Sequence, residues 1–354
     1  MGATRSGLSP CRSPGVGRSR RSPFRGPRLR GWWCRLTTRA SPEPGRSRSA
    51  PSSPGSTRGF TLVELLLALL MLSLVGYVAL QSLWAAVREY NLHSDRMVAL
   101  ERARNVELYL RNFLPNAGLG LPESWSSSEF PFSFPAGVSA LQVLIVRPIT
   151  LYETSQVASP DRFAVVYPVD RGLVLARDLV SGDTSLTVTW DPSRGPSHLS
   201  SLLDDLSSSG LKSYVVLQGD RSLYRISSLD LAGLTLRLST PVRGFHPRFR
   251  PLLMVRVKVF LPEPDGTLRV DDLMGGGAQP LERGIELLKV HYDEANGLFR
   301  YWIIARGETF HQEPIEAGRV YRVKGQDYAP SGDSARYVHA MVHGAVRVKN
   351  PSLR

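Results

Sequence analysis

Two cysteines are all that this chain of 354 residues contains, Cys11 and Cys34, and both precede residue 60. Nothing after that point can form an internal disulfide or a thiolate metal site. Lysine is missing from the same opening stretch. Residues 1–59 hold thirteen arginines, no lysine and a single acid, Glu43, for a net charge of +12. The rest of the chain carries 31 basic and 30 acidic side chains, so the formal charge of +13 belongs almost wholly to the opening segment. The balanced body gives no net-charge reason to expect a nucleic-acid partner.

Catalytic signatures are lacking as well: no GxxxxGK[ST], HExxH, CxxC or calcium loop of alternating acids occurs. Gly137-Val138-Ser139 and Gly195-Pro196-Ser197 begin like a GxSxG nucleophile elbow without its closing glycine. His339 and His343 stand four apart in a run that reads as strand, where that spacing leaves side chains about 13 Å apart, too far for one ion. They are expected to be partly exposed strand histidines. Gly275-Gly276-Gly277 has no following helix to offer a phosphate and reads as a flexible loop, with Asp271 and Asp272 in a solvated turn. Arg243, Arg248 and Arg250 read as a solvated patch. No enzymatic activity, cofactor or metal site is expected.

What the chain does have is an apolar run, residues 60–87, in which Glu64 is the sole charged side chain. A hydrocarbon core about 30 Å thick needs about 20 such residues of helix, so the run is long enough to cross a bilayer. Ahead of it, residues 1–59 are Arg-, Ser-, Pro- and Gly-rich without periodicity, and such a composition cannot bury enough surface to fold. They read as a disordered basic leader, a transit peptide, or the product of a start codon placed too far upstream. Positive charge there puts the amino terminus inside and the body outside.

Beyond Arg88 the pattern becomes amphipathic, and no proline or glycine interrupts it before Leu114. One helix over 60–114 is predicted, membrane-spanning in its first half and packed by one face in its second. Residues 115–138 read as a Pro-, Ser- and Gly-rich loop. From 139 to 354 short β-branched and aliphatic runs alternate with turn signals, which predicts an antiparallel sheet. The runs are 139–146, 162–168, 172–177, 185–190, 213–218, 222–227, 233–238, 252–262, 267–270, 286–293, 297–304, 319–324 and 336–348. Residues 191–212 form a Ser-rich linker that could divide a second β lobe from the first. The fold class is α+β: a long amino-terminal helix packed on an antiparallel β head.

The junction Arg58-Gly59-Phe60-Thr61-Leu62-Val63-Glu64 resembles the processing site of type IV prepilins. The tail adds softer likenesses to PilW-type minor pilins and to J-type pseudopilins of type II secretion. These are Tyr214-Val215-Val216-Leu217-Gln218-Gly219-Asp220, Leu281-Glu282-Arg283-Gly284-Ile285-Glu286 and Gly344-Ala345-Val346-Arg347-Val348. The leader is longer than is usual in that family, the helix lacks a mid-membrane proline, and there is no cysteine pair to staple the carboxy-terminal loop.

The resemblance implies cleavage after Gly59 by a prepilin peptidase and N-methylation of Phe60 by the same enzyme. It implies insertion in membrane lipid, contact with an inner-membrane assembly platform, and incorporation beside other pilin or pseudopilin subunits. Glu64 would set register in the filament by pairing with an amine of Phe60. A lone carboxylate in hydrocarbon costs about 2.5–3.5 kcal/mol at mid-membrane, so it needs such a partner. Location would be a single pass through the cytoplasmic membrane, with the head periplasmic or extracellular. Two alternatives stand beside this: a J-type pseudopilin, and a signal-anchored ligand-binding or hydrolytic ectodomain.

Overall fold

A computed structural model describes residues 61–136, 141–190, 213–220, 222–230 and 233–349. The chain divides into two units, 1–65 and 66–354, and of the first the described part is 61–65, where the long helix begins. The leader with Arg58, Gly59 and Phe60, the Gly137 and Gly195 triplets, and the segment 191–212 lie outside the described residues.

Helix α1 spans Leu62–Phe113, 52 residues, or roughly 80 Å at 1.5 Å per residue. A short 3-10 turn, Leu114–Asn116, follows it. Pro115 has no amide proton to continue the helix, and Gly118 and Gly120 then turn the chain at φ 70° and 72°. Every residue from Thr61 to Asn91 is exposed. Burial begins at Asp95 and continues through Ala99, Ala103, Val106 and Leu110, steps of three and four that fall on one helical face.

The strands follow in hairpins, and every pairing among the described residues is antiparallel. Ser133–Pro135 (β1) pairs with Gln142–Leu144 (β2). Ile149–Tyr152 (β3) pairs with the 14-residue Arg162–Leu175 (β4), which continues to Ser185–Trp190 (β5). Then come Tyr214–Leu217 (β6), Tyr224–Asp230 (β7), Thr235–Leu238 (β8) and the long Pro251–Pro262 (β9). Leu268–Asp272 (β10) and Gly277–Glu282 (β11) form a hairpin beside β9. Ile285–Asp293 (β12), Leu298–Arg306 (β13) and, after the small hairpin Tyr321–Val323 (β14) with Gln326–Tyr328 (β15), His339–Arg347 (β16) make a separate three-stranded sheet.

The two long strands contribute to three cores. In their first role β4 and β9 present Phe163, Val165, Tyr167 and Phe260 to the buried face of α1, together with Leu288, Val290, Phe299, Tyr301 and Ile303 from β12 and β13. The alternate residues Ala164, Val166, Val257 and Val259 pack under the loop carrying Trp125, Phe130 and Phe134. In their second role the same strands close a ring, β4–β9–β6–β7–β8–β5. Each of the six contributes two side chains two residues apart to one interior: Leu173 and Leu175, Leu252 and Met254, Val215 and Leu217, Tyr224 and Ile226, Leu236 and Leu238, Leu186 and Val188. A ring of this kind leaves no free edges among its members.

Several expectations change. The runs 162–168 and 172–177 are one strand, because a register shift between Asp170 and Leu173 bends β4 from the helix-packed sheet into the ring without ending it. A second β core does exist, but its limit runs across the middle of β4 and β9. The strands flanking 191–212, β5 and β6, both lie in the same ring, so that segment does not separate two lobes. Gly275-Gly276-Gly277 belongs to the β10–β11 hairpin, with the Met274 amide donating to Asp272 Oδ1 at 3.1 Å. Strands β1, β3, β11 and β15, short or polar, carried no sequence signal strong enough to be read.

Candidate functional site

The acid singled out by sequence, Glu64, occupies the third position of α1, and Thr61 stands just before the first. The Thr61 hydroxyl accepts from the Glu64 amide (3.3 Å), while Glu64 Oε2 accepts from the Thr61 amide (3.0 Å) and from its hydroxyl (3.1 Å). This is a capping box, which satisfies helix-end amides that would otherwise lack partners. A negative charge there also suits the positive end of the helix dipole. Thr61 has a capping role that the sequence reading did not assign, although Thr-x-x-Glu before an apolar run is itself the signal for it.

From this turn to Asn91 the helix shows apolar side chains on all sides. Leu70, Leu72, Val75 and Trp84 are 63, 69, 63 and 72% exposed. Among the described residues α1 is the one helix long and apolar enough to cross a membrane. Its charged second half is held very differently. Asp95, buried on the first packed turn, accepts from Thr309 Oγ1 (2.9 Å) and lies 3.1 Å from His311 Nε2. Arg102 donates to the carbonyls of Arg306 and Gly307 and to Glu308 (2.9 Å). Further on, the Tyr301 hydroxyl donates to Glu107 (2.7 Å) and accepts from Arg111 Nε (3.2 Å). Burial pushes the Tyr301 phenol up, so it stays a donor. Lys258 donates to the Tyr109 hydroxyl at 2.7 Å and sits 4.7 Å from the Phe113 ring centre.

Two glycines make this approach possible. A Cβ on Gly284, whose φ is +76°, would stand 2.7 Å from Arg102 Nη1, and one on Gly344 would collide with the Tyr301 hydroxyl. Both lie in the tail segments that carry the softer likeness to minor pilins. Here they are the positions at which side chains anchoring the helix cross the sheet.

Two buried ionic clusters were not read from sequence, because their members lie far apart along the chain. Asp161, wholly buried, receives the Thr154 and Val290 amides (2.8 and 3.0 Å) and the amines of Lys289 and Lys324 (3.0 Å each). Burial alone would raise its pKa, but these donors outweigh burial and hold the carboxyl below the usual carboxylate range. Glu316 accepts from Tyr321 and Arg319, both at 2.6 Å. It lies 3.7 Å from His339 Nδ1. Burial again opposes the charge, and contacts with His339 and Tyr321 prevail to hold the carboxyl low. His339 is therefore fully buried rather than partly exposed; its strand neighbour His343 is exposed.

The contacts of Asp95, Arg102, Glu107, Tyr109 and Arg111 dock the second half of α1, while its first half stays exposed. The chain matches no protein-family model, no curated protein and no solved structure.

Proposed function

We propose that this protein is the precursor of a minor subunit of a type IV pilus or a related filament. It is cut after Gly59, N-methylated on Phe60, and assembled through the exposed half of α1, with the β region serving as a pilin-type head. The observation that carries this reading is the division of a single helix. Some thirty residues, Thr61 to Asn91, have no cover of their own, while the next twenty or so are docked by their polar and small residues onto antiparallel strands. An ordinary membrane anchor needs no such rigid continuation into its head. A filament subunit does, because its position in the bundle must be transmitted to the head.

The junction chemistry supports the same reading. In the uncut chain the Phe60 nitrogen belongs to a peptide bond and carries no charge, and the Glu64 carboxylate accepts from the Thr61 amide and hydroxyl. Cleavage would create a positive amine on Phe60, about one helical turn away, and an ion pair in a low-dielectric bundle is a stronger partner than a neutral amide and hydroxyl. Glu64 would then exchange a capping role for a pairing one, within its own chain or with a neighbour. The partners are other pilin or pseudopilin subunits and the peptidase and platform that process and place them. The location is the cytoplasmic membrane and then the filament.

Mass spectrometry of the amino-terminal peptide, taken from cells with an active prepilin peptidase, tests this directly. A peptide beginning at N-methylated Phe60 is expected. A chain that starts upstream of Phe60 in such cells, or a Glu64→Gln variant recovered from sheared filaments as abundantly as the parent, would sink it.

A further inference from the structure

Strand β16 is the outer member of the sheet β12–β13–β16, and its pairing with β13 runs without a break from His339 opposite Arg306 to Arg347 opposite Leu298. In an antiparallel pair, alternate residues exchange backbone hydrogen bonds with the partner strand, and those between them point theirs the other way. Two bonds at the ends fix the phase. The Gly307 amide donates to the Val338 carbonyl (2.7 Å) and the Val348 amide to the Gly297 carbonyl (2.8 Å), so the even-numbered residues of β16 face β13. The odd-numbered ones face outward. Accordingly the His339 carbonyl accepts from the Tyr321 hydroxyl (3.2 Å), and the Lys349 amide donates to the Pro115 carbonyl (3.0 Å).

Between those two capped ends, the amides and carbonyls of Met341, His343, Ala345 and Arg347 have no hydrogen-bond partner among the described residues. Met341 is half-buried and the other three are exposed. The open edge is roughly 20 Å long at about 3.4 Å per residue. Other outer strands are protected. On β12 the Leu288 carbonyl accepts from the Asp161 amide (2.8 Å) and the Val290 amide donates to Asp161 Oδ2 (3.0 Å). Strand β11 contains Pro280, which cannot donate to a ladder. Between Met341 and Ala345, β16 has no proline, bulge or lysine, the devices that discourage a further strand. It is also held in place from behind, where Gly344 lies against the Tyr301 hydroxyl that is tied to Glu107 and Arg111 of α1.

Charge decides what such an edge accepts. Residues 339–349 contain Arg347, Lys349 and two histidines but no acid. Arg347 and Lys349 are exposed, and neither side chain makes a hydrogen bond or ion pair among the described residues. On the same face Arg300, opposite Ala345, has only a through-space attraction to Asp293, whose carboxylate accepts from the Asn296 amide and Nδ2 (3.2 and 2.7 Å). A second copy of this chain would bring the same cations and no acid to meet them. On the other face Val342 and Val346 are half-buried beside the core under α1. A strand laid on this edge would place alternate side chains beside those valines and the rest beside Arg347 and Arg300. Alternating apolar and acidic residues are its complement.

We propose that β16 is a docking edge that takes up an extended acidic segment of another protein as an antiparallel fourth strand, backbone to backbone, with acidic side chains beside Arg347 and Lys349. The proposal depends neither on processing at Gly59 nor on a filament, and it is tested on the uncut chain, so the two readings fail separately.

The test is hydrogen exchange read by mass spectrometry on the full-length protein in lipid nanodiscs, titrated with a short peptide alternating glutamate and valine. The arginine-rich leader also attracts acidic peptides, so the readout is local: exchange within 339–349. Saturable slowing there is expected, with a midpoint at least tenfold lower than for a lysine–valine peptide. Two further probes carry N-methyl groups on the glutamates or on the valines. Residues directly opposite each other share a face and exchange both bonds, so the glutamate amides meet the edge. Methylation of the glutamates should abolish protection, and methylation of the valines should leave it. Ala345→Pro, which removes an outward amide at an exposed edge position, and Arg347→Gln/Lys349→Gln should each weaken binding by about tenfold or more. Melting temperatures should stay within a few degrees of the parent's. If Ala345→Pro does not fold, the methylated probes and the charge variant decide. Absence of protection, equal protection by the two methylated probes, an equal midpoint for the lysine peptide, or undiminished binding by the charge variant would each refute the proposal.

Discussion

Asp161 shows how much of this head depends on charges that never meet water. Its carboxylate is matched by two amines and two backbone amides, and Lys289 is itself completed by the Thr154 and Gln156 carbonyls (3.1 and 2.8 Å). A buried pair of this kind contributes little compared with an apolar replacement, but losing one partner strands the other. Asp161→Asn is therefore expected to lower stability by about 3–5 kcal/mol in urea denaturation, the usual cost of orphaning a buried charge. Because folding holds both Asp161 and Glu316 low, their contribution is complete above the ordinary carboxylate pKa of about 4. It is lost as pH falls through the lower folded values. Melting temperature should drop steeply below about pH 4, and less steeply in the Asp161→Asn chain. A further test at this scale concerns Gly344. A methyl group there would collide with the Tyr301 hydroxyl, so Gly344→Ala is expected to cost about 1–3 kcal/mol by overpacking. It should also loosen α1, read as faster amide exchange at Glu107 to Arg111.

At the scale of the element, α1 is a helix with two environments and a cap. The cap predicts that Thr61→Ala lowers the stability of the first turn by about 1 kcal/mol. Amide exchange in nanodiscs should show fraying confined to residues near Leu62–Leu65, with the docked half unchanged. The docked half predicts the converse. Leu110 is wholly buried against the sheets, so Leu110→Ala should cost about 2–5 kcal/mol, with no effect on exchange at the capped end. The same helix was readable from sequence nearly to the residue, since an apolar run followed by an amphipathic one, closed by Pro115 and two glycines, has few other solutions. Strands were less readable. The bulge that makes β4 one strand instead of two is a feature of register, and register depends on β9, some ninety residues away.

At the scale of the whole molecule, the strands and the second half of α1 carry the buried cores, and the first half of α1 carries none. None of the residues 66–91 is buried, whereas the four apolar cores among the described residues lie beyond them. A chain shortened to begin at Asn91 is therefore expected to fold as a soluble monomer that keeps a cooperative thermal transition, measured by size exclusion and circular dichroism. Aggregation of that chain would mean that the head needs the missing half.

The sequence by itself determined the long helix, the placement of Glu64 at its mouth, the concentration of positive charge ahead of it and the antiparallel character of the strands beyond it. All of these rest on local composition and periodicity. The tertiary structure decided which strands close into a ring, that His339 is buried beside Glu316, and that Thr61 takes the Glu64 carboxylate. Those outcomes depend on side chains brought together across tens to hundreds of residues, or on hydrogen-bond geometry, and neither is written in any single stretch of the chain.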